Sequence, residues 1–204
     1  MILLLGLILA LAVALLRGGK LNRLLSVKVR RSWIAPLAWG LQVVVIYFPR
    51  PRSGGLLELH TLLVLVSYLL LVLVVALNWR LPGLPLIGLG LALNLLVMVA
   101  NGGFMPVTYE ALQRAGMANL ALGSAPGSRV MATKDIVLPR ANTVLWALSD
   151  VFVIPPPGPV RTIFSVGDLC LVAGVFILFQ RVMCRRSPAP QSETQGGQSR
   201  AFLR

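Results

Sequence analysis

Recurrent leucine-rich runs constrain this chain more than any other feature. Five runs carry few charges, and they cover residues 2–16, 33–48, 57–77, 84–100 and 166–183. A helix needs about 20 apolar residues to cross the roughly 30 Å hydrocarbon core of a bilayer. The runs therefore predict an all-α fold: an integral membrane helical bundle with five transmembrane helices.

Composition supports the membrane class. The chain is 57% hydrophobic and only 12% charged, whereas soluble domains carry about 25% charged residues. The net charge of +13 comes mostly from basic residues that flank the apolar runs. Such residues orient helices and meet anionic lipid head groups, so we expect a lipid bilayer and no nucleic acid as partner.

The distribution of Lys and Arg predicts the orientation. Segments 17–32 and 78–83, with the C-terminal region, carry twelve of them on one side, whereas the short loop 49–56 carries two on the other. Basic residues in short loops favour the cytoplasm. We therefore expect the N-terminus outside and the C-terminus inside the bacterial cytoplasmic membrane, with anionic head groups at the cytoplasmic face.

The first run has an alternative interpretation as a cleaved signal peptide. Small residues at 10, 12 and 14 offer cleavage patterns, but a signal peptide places Lys or Arg before its apolar run. Here the basic residues come afterwards, at 17–31. An uncleaved helix is therefore favoured over a cleaved one.

The stretch NGGFMPV, residues 101–107, predicts a firm helix stop. Asn101 with Gly102 or Gly103 suits a left-handed turn that satisfies the last helical carbonyls, and Pro106 prevents the helix from resuming. The stop opens an extracytoplasmic loop over 101–165, in which Thr108 caps a short helix. Residues 141–154 are too few to span and predict an interfacial or re-entrant segment, with a spanning one left open.

The domain organisation is then a transmembrane domain over residues 1–184 followed by a short tail. Residues 185–204 are rich in Ser, Gln, Gly and Pro. Such a segment buries too little apolar surface to offset its ordering entropy. It is therefore expected to be a disordered cytoplasmic tail.

Ionisable and amide side chains at membrane depth are functional candidates, because burying them is costly. The predicted topology brings six of them to the outer face, as candidate ligand-binding residues: Glu58, His60, Asn101, Asp150, Arg161 and Asp168. A carboxylate in the first turn of a helix is also stabilised by the helix dipole alone. That structural interpretation of Asp168 and Glu58 stays open beside an Arg161–Asp168 ion pair.

Several chemistries are not expected. One histidine and two cysteines give too few strong ligands for a metal site. Cys170 and Cys184 lie fourteen residues apart on one run, about 21 Å along a helix, so no disulfide joins them. No phosphate loop, nucleophile elbow or zinc-protease motif is present. No cofactor is expected, and an enzyme is disfavoured.

Three stretches resemble an uncharacterised family of bacterial inner-membrane proteins, a domain of unknown function. They are NGGFMPV at 101–107, ALSDVFVIPPPGPV at 147–160 and IFSVGDLCLVAGV at 163–175. The resemblance covers roughly residues 1–184. It implies a bacterial membrane location and assigns no activity.

These patterns together predict an integral membrane protein with a binding or interaction role through its extracytoplasmic face. A membrane-protein partner is one expected form of that interaction. The alternative is a small transporter or permease-like subunit. A transporter would move substrate across liposomes, whereas an interaction protein would co-purify with a partner.

Overall fold

Seven helices and four short strands make up the fold in a computed structural model, which describes residues 2–47, 59–131, 133–157 and 160–184. The helices are α1 (Ile2–Leu16), α2 (Leu21–Leu25), α3 (Ile34–Tyr47), α4 (Leu59–Leu77), α5 (Leu84–Ala100), α6 (Tyr109–Arg114) and α7 (Val166–Met183). The strands are β1 (Met105–Val107), β2 (Asp135–Val137), β3 (Phe152–Ile154) and β4 (Thr162–Phe164).

The prediction of an all-α bundle with five transmembrane helices is wrong. Among the described residues, α7 is the one helix long and apolar enough to cross a membrane. The other apolar helical stretches have 10–17 residues: Ile2–Leu16, Ile34–Val44, Thr61–Leu77 and Leu84–Ala100. Glycine turns limit several of them, since Gly18 follows α1 and Gly83 precedes α5 with positive φ angles of 75° and 87°.

The long helices form a layer in which α7 packs between α1 and α5. Gly90 of α5 lies so close to α7 that an added Cβ would be 2.5 Å from the Gly167 carbonyl oxygen. Gly83 and Gly174 meet in the same way, so α5 and α7 run antiparallel. On the other side, the Gln180 side chain donates a hydrogen bond of 3.1 Å to the Ala10 carbonyl. Small residues permit this close helix packing.

Residues 101–165 fold back over one end of the helical layer, and we call their described part the cap. Strand β1 pairs parallel with β2, and β3 pairs antiparallel with β4. Residues 140–154 contain two 3₁₀ turns, Arg140–Asn142 and Trp146–Leu148, and then β3. The buried core of the cap is apolar and consists of Val107, Ala111, Leu112, Val130 and Val137.

The opposite end of the layer is basic. Asn78, after α4, exchanges two hydrogen bonds with the Arg30 backbone, at 2.7 and 3.0 Å. The Arg23 guanidinium donates to the Met183 carbonyl at 3.1 Å. The start of α4 meets the cap instead, where the Thr61 hydroxyl donates to the Gly102 carbonyl at 3.4 Å. The cap and the basic end, residues 17–31 with Arg80, therefore lie at opposite ends of the helices.

Candidate functional site

The turn after α5 aims the chain into the cap. Gly102 and Gly103 both have positive φ angles, 72° and 93°, and the Gly103 amide donates to the Met98 carbonyl at 2.7 Å. This bond satisfies a carbonyl at the helix end. Pro106 lies within β1 and is fully buried. Its carbonyl accepts a bond of 3.2 Å from the Asp150 amide.

Asn101 holds the cap against α5 through the backbone of Val144. Its side-chain amide donates to the Val97 carbonyl at 2.8 Å and to the Val144 carbonyl at 2.9 Å. Its side-chain oxygen accepts from the Val144 amide at 3.0 Å. Because these bonds occupy the side chain, Asn101 positions the cap and is not free to hold a ligand.

Asp168 belongs to the start of α7. It forms a reciprocal capping box with Ser165, whose hydroxyl accepts from the Asp168 amide at 3.1 Å. The Asp168 carboxylate accepts from the side chain of Asn94 on α5 at 3.0 Å. Ser165 in turn donates to the Asn94 side-chain oxygen at 2.9 Å. These three side chains fasten α5 to α7.

Arg161 and Asp168 form no ion pair. The Arg161 side chain is exposed and lies beside Gly116, 3.6 Å from where a Cβ would stand. The expected pairing fails because Asn94 and Ser165 already satisfy the carboxylate. Glu58 lies outside the described residues, and so does the side chain of His60, whose backbone is in α4.

Asp150 is the sequence candidate with the most unusual surroundings. Its side chain is 8% exposed, and its Oδ1 atom has no hydrogen-bond partner. Burial, followed by the nearby carboxylates Asp135 and Asp168, raises the pKa of Asp150 well above its ordinary value, although Lys134 opposes the rise. An unpaired buried acceptor costs free energy. The burial of this carboxyl group without a hydrogen-bond donor therefore needs an explanation.

Lys134 and Tyr68 form a second polar contact below the cap. The ammonium of Lys134 donates a hydrogen bond to the Tyr68 hydroxyl and lies 5.0 Å from the centre of the ring. Burial alone would lower the pKa of Lys134, but the Tyr68 hydroxyl and the carboxylates Asp168 and Asp150 raise it above its ordinary value. Lys134 therefore stays charged. Burial also raises the pKa of the neighbouring Asp135.

A cavity of about 170 Å³ opens beside Asp150 on the surface of the cap. Its polar and charged walls come from α6, from the 3₁₀ turns and from the segment before β3. The lining residues are Thr108, Glu110, Ala111, Arg114, Arg140, Trp146, Asp150 and Val151. The Arg140 guanidinium stacks 3.8 Å from the centre of the Trp146 ring, and the indole Nε1 has no hydrogen-bond partner.

The structure therefore places the four candidates whose side chains it describes at different positions. Asp150 lines the cavity. Asn101 bonds α5 to the cap, and Asp168 bonds α7 to Asn94 of α5. Sequence reasoning missed Arg114, Arg140 and Trp146, because nothing in the local sequence shows that the fold of the cap brings them to one cavity. One usable signal existed: the chain has only six acidic residues, and Glu110, Asp135 and Asp150 all fall between 101 and 165. No metal-binding group of His, Cys, Asp or Glu occurs within the described ranges.

Comparison with known proteins places the chain among uncharacterised proteins. Residues 26–180 match a family of unknown function, DUF5317. An uncharacterized protein of Thermotoga maritima is 31% identical over 134 residues, which is 65% of this chain and 71% of the relative. The chain belongs to the DUF5317 family. No solved structure matches it.

Proposed function

We propose that the chain is an integral protein of the bacterial cytoplasmic membrane that binds a ligand or partner through its cap, on the extracytoplasmic side. The observation that carries this proposal is the apolar surface of the helical layer. Soluble monomers rarely expose contiguous apolar patches beyond a few hundred Å². Contact with lipid is the best explanation for an exposed apolar surface that lies between a basic end and a polar cap.

Exposed leucines support the membrane location. Leu4, Leu9 and Leu16 of α1 are 60%, 58% and 87% exposed, and α3, α4, α5 and α7 all expose further large apolar side chains. Only 22% of α7 is buried, unlike the core helix of a soluble domain. An exposed apolar helix of this length favours contact with hydrocarbon.

The basic end supports the orientation and the lipid partner. Trp33 and Trp79 are each 61% exposed at this end. The Arg80 guanidinium lies 5.9 Å from the centre of the Trp79 ring. Tryptophan and basic residues concentrate at the membrane–water interface, and basic residues favour the cytoplasmic side with its anionic lipids. This arrangement leaves the cap on the opposite side.

Paired cysteine labelling in intact cells tests the proposal. Ser124 in the cap and Ser26 at the basic end are both exposed, and each is changed to Cys in a chain whose Cys170 and Cys184 are replaced by Ala. A membrane-impermeant maleimide should label S124C in intact cells and S26C only after the membrane is breached. The reverse pattern contradicts the orientation, and extraction of the protein by alkaline carbonate contradicts the membrane location.

A further inference from the structure

We infer that the cap cavity binds a small zwitterion, a molecule of amino-acid type that carries one carboxylate and one ammonium group. The inference rests on the proposed binding role of the cap and names its ligand class. It follows from the unpaired polar atoms, the charges of the wall and the size of the cavity.

The first observation is that one residue of the wall lacks a hydrogen-bond acceptor and another lacks a hydrogen-bond donor. Trp146 has a buried indole N–H with no acceptor, and Asp150 has a buried Oδ1 with no donor. Buried polar groups are paired in the great majority of cases. A ligand with a carboxylate would accept from the indole, and its ammonium would donate to the carboxyl. One zwitterion thus satisfies both atoms.

The wall also carries charged groups of both signs, one kind for a carboxylate and the other for an ammonium group. Arg114 and Arg140 bring two guanidiniums, and Glu110 and Asp150 bring two carboxyls. Guanidinium groups bind carboxylates through paired, charge-assisted hydrogen bonds. The Arg140 guanidinium lies over the Trp146 ring, and its five N–H donors leave some available to a ligand. An ammonium beside Asp150 also favours the ionised form of that carboxyl.

The size and access of the cavity set the scale of the ligand. Sites for drug-sized molecules have about 300–1,000 Å³, whereas this cavity has about 170 Å³. That volume equals about six water molecules and suits a short amino acid. The two unpaired atoms have almost no accessible surface, so binding requires side chains of the wall, such as the exposed Arg114 and Arg140, to move aside.

Calorimetric titration of the full chain in detergent tests the inference. The probes are the standard α-amino acids, with acetate, inorganic phosphate and ethylammonium as probes of single charge. At least one amino acid should bind saturably, and each probe of single charge should bind at least tenfold more weakly. Arg140→Gln and Asp150→Asn should each weaken the binding of that amino acid at least tenfold.

Two further variants complete the design. Trp146→Phe keeps a ring under Arg140 and removes the indole N–H, so it should weaken binding while the protein stays folded. Arg80→Gln breaks the Arg–Trp contact at the other end of the molecule and should leave binding unchanged.

Three outcomes overturn the inference: no amino acid binds at 10 mM (about 10,000-fold above a micromolar Kd), acetate or phosphate binds equally well, or Arg140→Gln binds as the wild type does. Failure here with correct cysteine labelling removes the ligand class and leaves the membrane proposal standing.

Discussion

At the scale of the residue, Gly102 and Gly103 have similar backbone conformations but different surroundings. Both have positive φ angles, which costs an L-residue about 1–2 kcal/mol. A Cβ on Gly102 would meet nothing within 4 Å, whereas one on Gly103 would lie 2.2 Å from Thr61 Cγ2. The two positions therefore separate backbone strain from steric overlap.

We predict that Gly102→Ala lowers the free energy of unfolding by about 1–2 kcal/mol and that Gly103→Ala lowers it by clearly more. Thermal or denaturant unfolding in detergent measures both. Thr61→Ala removes the two closest atoms and should restore part of the loss in Gly103→Ala, but none in Gly102→Ala. Equal losses for the two glycine variants would contradict the close approach to Thr61.

Asp150 gives a prediction that depends on pH. Its raised pKa means that the folded protein holds a proton that the unfolded chain has already released. The contribution of Asp150 to the free energy of unfolding therefore falls as the pH rises above about 4. Asp135, Asp168 and Lys134 face this group and set the size of the effect.

We therefore expect Asp150→Asn to match or exceed the wild type in stability at pH 7, because asparagine cannot ionise, and the difference should shrink toward pH 4. Melting temperatures across this range measure it. Glu110→Gln is the matched control, since Glu110 is an exposed carboxyl on the same cavity. A wild type that gains stability relative to Asp150→Asn with rising pH would contradict the assignment.

At the scale of the element, the contact between α5 and α7 combines close glycine packing with one polar junction. Asn94 is 1% exposed and bonds both Ser165 and Asp168. We predict a coupling of about 0.5–3 kcal/mol between Asn94→Ala and Asp168→Asn. A double-mutant cycle of unfolding free energies measures it.

The corresponding cycle of Arg161→Gln with Asp168→Asn is the control for that prediction. It should give a coupling near zero, because Arg161 and Asp168 are not paired. Strong coupling there, with none at Asn94, would contradict the junction.

The helices followed from the sequence, and the strands did not. The predicted runs 2–16, 84–100 and 166–183 coincide with α1, α5 and α7. Glycines with positive φ angles follow α1 and flank α5, whereas Ser165 caps the start of α7. Each strand has only three residues, such as the DIV of β2, which is too short for an alternating pattern to be seen. Pro106 was interpreted only as a stop, although it lies within β1.

The candidate site was predictable only in part for a related reason. Asp150 could be found by the cost of burying a carboxyl, a property of the residue itself. Which other residues line the cavity depends on how the cap folds back over the helices. Arg140 and Trp146 meet through 3₁₀ turns, with Leu145 between them in a left-handed conformation, φ 55°. Tertiary packing sets that geometry, and local sequence does not reveal it.

At the scale of the whole molecule, opposite ends have different chemistry, and this predicts a response to lipid. We expect phosphatidylglycerol added to detergent to raise the melting temperature more than phosphatidylcholine does, because ligands of the folded state stabilise it. Each basic residue near an anionic surface contributes about 1 kcal/mol.

The exposed Lys28 and Arg30 identify the end that responds. Lys28→Gln with Arg30→Gln should reduce the difference between the two lipids, whereas Arg161→Gln in the cap should preserve it. The Arg30 contacts with Asn78 use the backbone and survive this change. An identical response in all three proteins would contradict the basic end as the lipid-binding face.

The packing of α1 on α7 has a consequence for biosynthesis. Gln180 contacts Ala10 across 170 residues of chain, so α1 packs on a helix that is translated much later. Until α7 has emerged from the ribosome, α1 lacks the helix on which it packs, and α5 lacks its antiparallel neighbour. Closing so distant a contact is slow, and a nascent chain without α7 must keep both helices apart from other apolar surfaces. We therefore expect the contacts of α1 and α5 with α7 to form only after α7 has been translated.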